Sequence, residues 1–186
     1  MHLIFRFAPE ADPESSLKFK VEINTREHKA MYGTLSYPFG VDNEWFSGAA
    51  EIVSFDQEEL FGTKLRALLQ RRKNRDLFDL HEGFRKLSLY PERLVAAFEH
   101  YLSLEENVIT RANAEQRMLE KLTKSLTEDI SPLLPTGIEF SDDDAIKAFG
   151  QIWNNVLPLL KGDPWKSSEA VIEQMRQKRF PNLLQA

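Results

Sequence analysis

Several polar side chains have the types that phosphoryl or nucleotidyl transfer requires. That chemistry needs carboxylates to hold Mg²⁺, cations to take up phosphate charge, and a group that orients the attacking hydroxyl. Glu22 lies in an alternating, strand-like stretch, Lys64 lies in a helical stretch, and Asp76 and Asp79 stand one helical turn apart. These four residues are the first candidates for a catalytic site.

Each candidate also has an ordinary structural explanation. A glutamate on a strand face commonly pairs with a neighbouring lysine, and a lysine on a charged helix commonly faces solvent. Asp76 and Asp79 could pair with Arg72 and Arg75 at helical spacing. Residue type and spacing therefore leave both explanations open.

The first part of the chain must position Glu22. Strands are predicted at residues 3–7 and 17–24, a turn at 37–40, and a possible third strand at 50–55. In the second strand, one face carries Leu17, Phe19, Val21 and Ile23, which are expected to pack against a core. The other face carries Lys18, Lys20, Glu22 and Asn24.

Helical periodicity starts at Asp56, which can cap a helix, and Glu59 stands where a capping box would close. This helix carries Lys64 and is interrupted at Lys73-Asn74, where a second helix begins. Further amphipathic helices are predicted at residues 91–104, 111–126, 142–160 and 167–179. The chain is therefore predicted to be α+β, with a partial mixed sheet in residues 1–56 and a helical lobe in 57–186.

Composition excludes several classes of protein. The 186 residues contain no cysteine, and His2, His28, His81 and His100 are too scattered to suggest a zinc site. No apolar stretch has the length of a membrane-spanning helix, so a soluble, cytoplasmic protein is expected. The net charge is -5, yet basic residues cluster between Lys64 and Arg75.

Two short motifs resemble functional sites but have simpler interpretations. Gly62-Thr63-Lys64 lies inside the predicted helix and lacks the order of a phosphate-binding loop, in which glycine and lysine precede serine or threonine. Asp142-Asp143-Asp144 follows Ser141 at the start of a helical pattern, where acidic residues favour the helix N-terminus.

Three ordered blocks resemble the AbiEii toxin family of nucleotidyltransferases. They are Lys20-Val-Glu-Ile-Asn-Thr-Arg-Glu-His28, Glu59-Leu-Phe-Gly-Thr-Lys-Leu-Arg-Ala-Leu68 and Arg75-Asp-Leu-Phe-Asp79. The resemblance runs from about Leu17 to about Leu160. It implies a polymerase-beta-like nucleotidyltransferase fold that binds nucleoside triphosphate with Mg²⁺. Family members are toxins of type IV toxin–antitoxin and abortive-infection systems; they pair with an antitoxin protein, and some modify tRNA.

The resemblance also implies site residues. The expected catalytic residues are Glu22, Lys64 and Asp76, and Glu22 is the expected metal ligand. The expected nucleotide-binding residues are Lys64, Arg71, Arg75 and Asp79. The chain departs from the family pattern because no Gly-Ser turn and D-x-D strand precede Leu17, and Asp12-Pro13-Glu14 lies in a proline-containing loop.

Three functional hypotheses follow. The first is a nucleotidyltransferase toxin with an RNA acceptor such as tRNA. The second is an inactive truncated or naturally short form, which uses Arg71-Arg72-Lys73 to bind RNA or an antitoxin without turnover. The third is a metal nuclease that uses Glu22 and Lys20, although no second acidic strand residue stands at a suitable spacing.

Overall fold

A computed structural model describes residues 1–23, 29–123 and 126–184. Strands occur as far as Phe55, and helices follow from Gln57 onward. The α+β fold class is therefore confirmed. The element type changes near the predicted boundary at residues 56 and 57, while the division into two domains stays a prediction.

The strands of the described residues form two separate antiparallel hairpins. In the first, β1 (His2–Phe7) pairs with β2 (Leu17–Glu22). In the second, β3 (Thr34–Asp42) pairs with β4 (Ser47–Phe55). This arrangement differs from the partial mixed sheet that the sequence predicts. A short connection joins the two strands of each hairpin, and strands joined in this way pair antiparallel. Asn24 and His28 lie outside the described residues.

The turn predicted at residues 37–40 is wrong, because these residues lie within β3. Tyr37 pairs with Ile52, and Pro38 pairs with Glu51. Proline lacks an N–H donor and is tolerated in edge strands, and both strands of a two-stranded sheet are edges. The possible third strand at residues 50–55 is confirmed and begins earlier, at Ser47.

The apolar face of β2 does not pack into a core as expected. Leu17 is 48% exposed and Phe19 is 57% exposed. Alternation shows that one strand face is apolar, but it carries no information about what lies against that face.

The helical part follows the predicted order closely. Its α-helices in the described residues are α1 (Gln57–Gln70), α2 (Arg75–Lys86), α3 (Pro91–Ser103), α4 (Arg111–Lys121), α5 (Asp142–Asn155) and α6 (Ser168–Lys178). Ser141 accepts a hydrogen bond from the Asp144 amide at 3.1 Å, so the predicted capping role of this acidic run is confirmed. Asp56 likewise caps α1 by accepting a hydrogen bond from the Glu58 amide at 3.1 Å.

Buried leucine and phenylalanine side chains hold α1 in place. Leu65 and Leu68 of α1, Leu80 of α2 and Phe98 of α3 are fully buried in one core. Gly62 of α1 faces α3 so closely that a β-carbon built there would lie 2.8 Å from the Ala97 Cβ. The helix that carries Lys64 therefore has a tightly defined position.

Within the described ranges, none of the helices combines the length and hydropathy that a bilayer crossing requires.

Candidate functional site

A cleft of about 340 Å³ lies where α1 and α2 meet. It is lined by Lys64, Arg71, Arg75, Asp76, Phe78, Asp79, Ile130, Leu133 and Leu134. Five of the six residues that the sequence singled out are thus brought together. The local cause is the break at residues 71–74, which turns the chain so that the first turns of α2 face the later turns of α1.

Lys64 and Asp79 form an ion pair across the cleft. The Lys64 Nζ lies 2.6 Å from the Asp79 Oδ2, and each side chain is 37% exposed. An ion pair that is this accessible contributes little to folding stability. The pair holds the ammonium group over the cleft, where a phosphate oxygen could compete for it.

Asp76 has the most unusual environment in the cleft. The residue is 2% exposed, and its Oδ2 has no hydrogen-bond partner among the described residues. The nearest cation in that range is Arg71, whose guanidinium lies 3.8 Å from this oxygen. Burial raises the pKa of Asp76, while Lys64 and Arg71 act in the opposite direction. The carboxylate therefore keeps one acceptor oxygen that accepts no hydrogen bond from the described part of the chain.

Asp76→Asn is expected to stabilise the fold. Because the pKa of Asp76 is raised in the folded state, the protonated carboxyl stabilises the fold. This stabilisation is fully present below pH 3.8, the ordinary pKa of the group, and is lost as the pH rises through the folded-state pKa. The variant should therefore gain about 1 kcal/mol over the wild type at neutral pH, and the gain should shrink toward about pH 4. Urea unfolding of both proteins across this pH range measures the difference.

Asp163→Asn is the matched control, because Asp163 is exposed. It should change the free energy of unfolding by no more than about 0.5 kcal/mol. If Asp76→Asn instead destabilised the protein equally at every pH, the burial cost assigned to Asp76 would be refuted.

The start of α2 is tied to a distant loop. The Asn74 amide donates a hydrogen bond to the Asp129 Oδ2 at 2.9 Å, and Asn74 itself is buried. This contact fixes the N-terminal turn of α2, from which Arg75 and Asp76 project. The helix N-terminus favours negative charge, so it partly compensates for the burial of Asp76.

The structure does not show the ion pairs that helical spacing would allow, Arg72 with Asp76 and Arg75 with Asp79. Asp79 instead pairs with Lys64 on the other helix, and the cation nearest to Asp76 is Arg71. Arg72 and Arg75 are exposed and form no ion pair within the described part of the chain.

Glu22 lies apart from the other five residues. It is on the charged face of β2, where it forms an ion pair with Lys20 and lies 3.4 Å from the His2 Nδ1. Hydrogen bonding from Lys20 lowers the pKa of Glu22. Glu22 does not line the α1–α2 cleft. Its roles in catalysis and metal binding therefore stay predictions that rest on the resemblance alone.

Glu59 has a role that the sequence did not reveal. It does not close a capping box; its carboxylate instead accepts hydrogen bonds from the amides of Met31 and Tyr32, each at 2.7 Å, and from the Tyr101 hydroxyl. The residue is fully buried. Glu59 thus joins the segment that enters β3 to α1 and α3. An acidic residue in a helical first turn is so common that no sequence signal separates this case from an ordinary cap.

The cleft contains carboxylate oxygens, the kind of ligand that Mg²⁺ prefers. Among the described residues, no cluster of three or more histidine, aspartate or glutamate side chains could hold a metal ion. Mg²⁺ in nucleotide sites is commonly bound through one or two carboxylates plus substrate phosphates. Asp76 and Asp79 supply two carboxylates in one cleft, and the Asp76 Oδ2 is unused. The cleft therefore fits a metal that arrives bound to phosphate.

Comparison with known proteins gives one family. The family model described as "Nucleotidyl transferase AbiEii toxin, Type IV TA system" matches residues 2–155. Neither the curated proteins nor the solved structures contain a match to the chain. The matched range includes both hairpins, the α1–α2 cleft and all six predicted site residues. The chain belongs to the AbiEii family of type IV toxin–antitoxin nucleotidyl transferases.

Proposed function

We propose that this protein is a cytoplasmic nucleotidyltransferase toxin that binds a nucleoside triphosphate in the α1–α2 cleft and transfers a nucleotide to an RNA acceptor such as tRNA. A cognate antitoxin protein is the proposed regulatory partner. The observation that carries the proposal is the convergence of Lys64, Arg71, Arg75, Asp76 and Asp79 on one cleft of a chain that belongs to this family.

The cations of the cleft bind the triphosphate and neutralise its negative charge. Lys64 contacts the phosphates and takes up the charge that develops on the leaving pyrophosphate. Arg71 and Arg75 are exposed at the cleft and add positive charge near it. Asp79 positions Lys64 through the 2.6 Å ion pair.

Asp76 has the role of orienting the acceptor. Its unused Oδ2 can accept a hydrogen bond from the attacking RNA hydroxyl. That hydroxyl oxygen forms a bond to the α-phosphorus, the bond between the α-phosphorus and the bridging oxygen breaks, and pyrophosphate leaves. The raised pKa of Asp76 makes the carboxylate a better proton acceptor for the hydroxyl.

Mg²⁺ is the proposed cofactor. When bound, the ion neutralises phosphate charge and helps to align the reacting groups. Asp76 and Asp79 are the cleft carboxylates that would hold it. Glu22, the metal ligand that the resemblance predicts, lies outside this cleft.

The direct test is transfer of label from α-labelled nucleoside triphosphates to total tRNA, with and without Mg²⁺. Wild-type protein should label RNA, and Asp76→Asn should lose at least about 100-fold in rate while remaining folded. Asp163→Asn makes the same chemical change at an exposed position and should retain the wild-type rate. Absence of transfer by the wild type, or full activity of Asp76→Asn, would contradict the proposal.

The second candidate function is binding without turnover. The exposure of Arg71, Arg72 and Lys73 favours it, as does the position of Glu22 outside the cleft. It predicts that RNA or an antitoxin binds while no label is transferred under any nucleotide or metal condition. The same assay, run beside a binding measurement, separates the two functions.

A further inference from the structure

A second cleft adjoins the first at the C-terminal end of α1. Its volume is about 480 Å³. The residues that line it are Leu69, Gln70, Arg71, Arg72, Arg117, Glu120, Lys121 and Thr123. Arg71 lines both clefts, so an extended ligand in one could continue into the other.

The lining of the second cleft is strongly positive. Among the described residues that line it, four side chains are cationic and one is a carboxylate, Glu120, which accepts a hydrogen bond from Gln116 at 3.1 Å. The chain as a whole has a net charge of -5, so this concentration of positive charge is local. A positive cleft on an acidic protein attracts an anionic ligand to one place.

Two of these cations have a structural function. The Arg117 guanidinium donates to the Leu69 carbonyl at 3.0 Å, and the Lys121 Nζ donates to the Arg71 carbonyl at 2.8 Å. They satisfy carbonyl groups at the end of α1 and interact favourably with its dipole. Their charges are thereby held in place at the wall of the cleft.

Helix capping does not account for Arg72 and Lys73. Both are exposed and form no ion pair within the described part of the chain. Arg72 lines the cleft and Lys73 follows it in the chain, and neither is paired with a carboxylate among the described residues. Such an arrangement is typical of a surface that binds phosphate groups.

We propose that the second cleft binds the phosphodiester backbone of the RNA whose end enters the first cleft. This inference rests on the proposed function, which places the reacting end of the RNA in the first cleft. The first cleft is then occupied by the triphosphate and the reacting hydroxyl, and the preceding phosphates of the acceptor lie along Arg71 and Arg72. An acidic protein is a poorer fit because the centre of a protein interface is usually apolar or aromatic. Leu69 is the one large apolar side chain among the described residues that line this cleft.

The test is fluorescence anisotropy with a labelled single-stranded RNA of about 12 nucleotides, a length within the usual range of such sites. Arg72→Glu/Lys73→Glu should weaken binding at least about tenfold, and the slope of log affinity against log salt should fall by about 0.7 for each phosphate that the variant no longer neutralises. Lys166→Glu/Lys178→Glu is the matched control, because both lysines are exposed and lie near or in α6. It should weaken binding by less than about threefold, since general charge effects are screened by salt.

Equal loss of RNA binding in both double variants would overturn the inference, since net charge rather than the cleft would then govern binding. Unchanged binding in Arg72→Glu/Lys73→Glu would overturn it too. A third contradicting result is that polyglutamate, but not RNA, binds the wild type and requires Arg72 and Lys73. Circular dichroism of each variant checks that folding is retained.

A parallel titration with nucleoside triphosphate separates this inference from the proposed function. If the wild type binds RNA through Arg72 and Lys73 but does not bind nucleotide, the backbone site stands and the proposed function fails. If nucleotide binds and Arg72→Glu/Lys73→Glu leaves RNA affinity unchanged, only the backbone site fails.

Discussion

Replacing Lys64 with alanine is expected to lower kcat/KM for nucleotidyl transfer by roughly 100- to 1,000-fold, the usual effect of removing one group that stabilises developing charge. Lys64 is the cation held over the cleft by Asp79, and its charge is proposed to stabilise the leaving pyrophosphate. The loss should appear mainly in kcat, with a smaller rise in KM, because the charge on pyrophosphate increases toward the transition state. Initial rates at varied nucleotide concentration measure both constants.

The same variant should remain well folded. The Lys64 and Asp79 side chains are each 37% exposed, so loss of their ion pair should change the free energy of unfolding by no more than about 1 kcal/mol. Lys64→Arg should recover part of the activity because it restores the charge without the ammonium geometry. Lys166→Ala, at an exposed lysine elsewhere, is the control for general charge loss. Wild-type kinetics in Lys64→Ala would refute the role assigned to Lys64.

Gly62→Ala is expected to destabilise the protein even though alanine is the better helix former. The added β-carbon would lie 2.8 Å from both the Ala97 Cβ and the Leu94 carbonyl oxygen, and 3.0 Å from the Phe98 amide nitrogen. Two of these three atoms belong to the backbone of α3, so relief requires the helices to separate. Overpacking of this kind costs about 1–3 kcal/mol, which exceeds the helix-propensity gain of about 1 kcal/mol. Urea unfolding measures the change.

Gly150→Ala is a matched comparison within another helix. Its added β-carbon would meet only the Leu184 Cδ2, at 3.7 Å, which is an ordinary contact. The same propensity gain should therefore stabilise this variant by up to about 1 kcal/mol. Opposite signs for the two substitutions would show that close helix packing, rather than glycine flexibility, explains Gly62. Equal stabilisation by both would contradict the packing explanation.

Local signals predicted the helices well. Asp56 and Ser141 each cap a helix. The break between α1 and α2, predicted at Lys73-Asn74, spans residues 71–74. The strands were harder to delimit, because Pro38 gives a turn signal that the edge position of β3 overrides. The exposure of Leu17 was not predictable, since alternation describes one strand and not its neighbours.

For the candidate site, spacing and family resemblance together selected six residues, and the fold places five of them in one cleft and Glu22 outside it. Spacing and resemblance could not show the features of the site that depend on tertiary contacts. The pairing of Lys64 with Asp79 joins two helices, and the burial of Asp76 depends on the packing around the start of α2. Glu59 was misassigned for the same reason, because its partners Met31 and Tyr101 are distant in sequence. Short-range patterns contain no record of such contacts.

The buried carboxylate of Glu59 also links the unfolding of distant segments. Detachment of Met31 and Tyr32 from α1 would leave a negative charge enclosed by protein with two of its donors missing. Leaving a buried acceptor without its donors costs about 1–3 kcal/mol, and more when the group is charged, so partial opening at this point is unfavourable compared with opening that exposes Glu59 to water. We therefore expect three segments to open together: the segment that enters β3, helix α1, and the part of α3 around Tyr101. Hydrogen exchange of their amides should then give a similar free energy of opening.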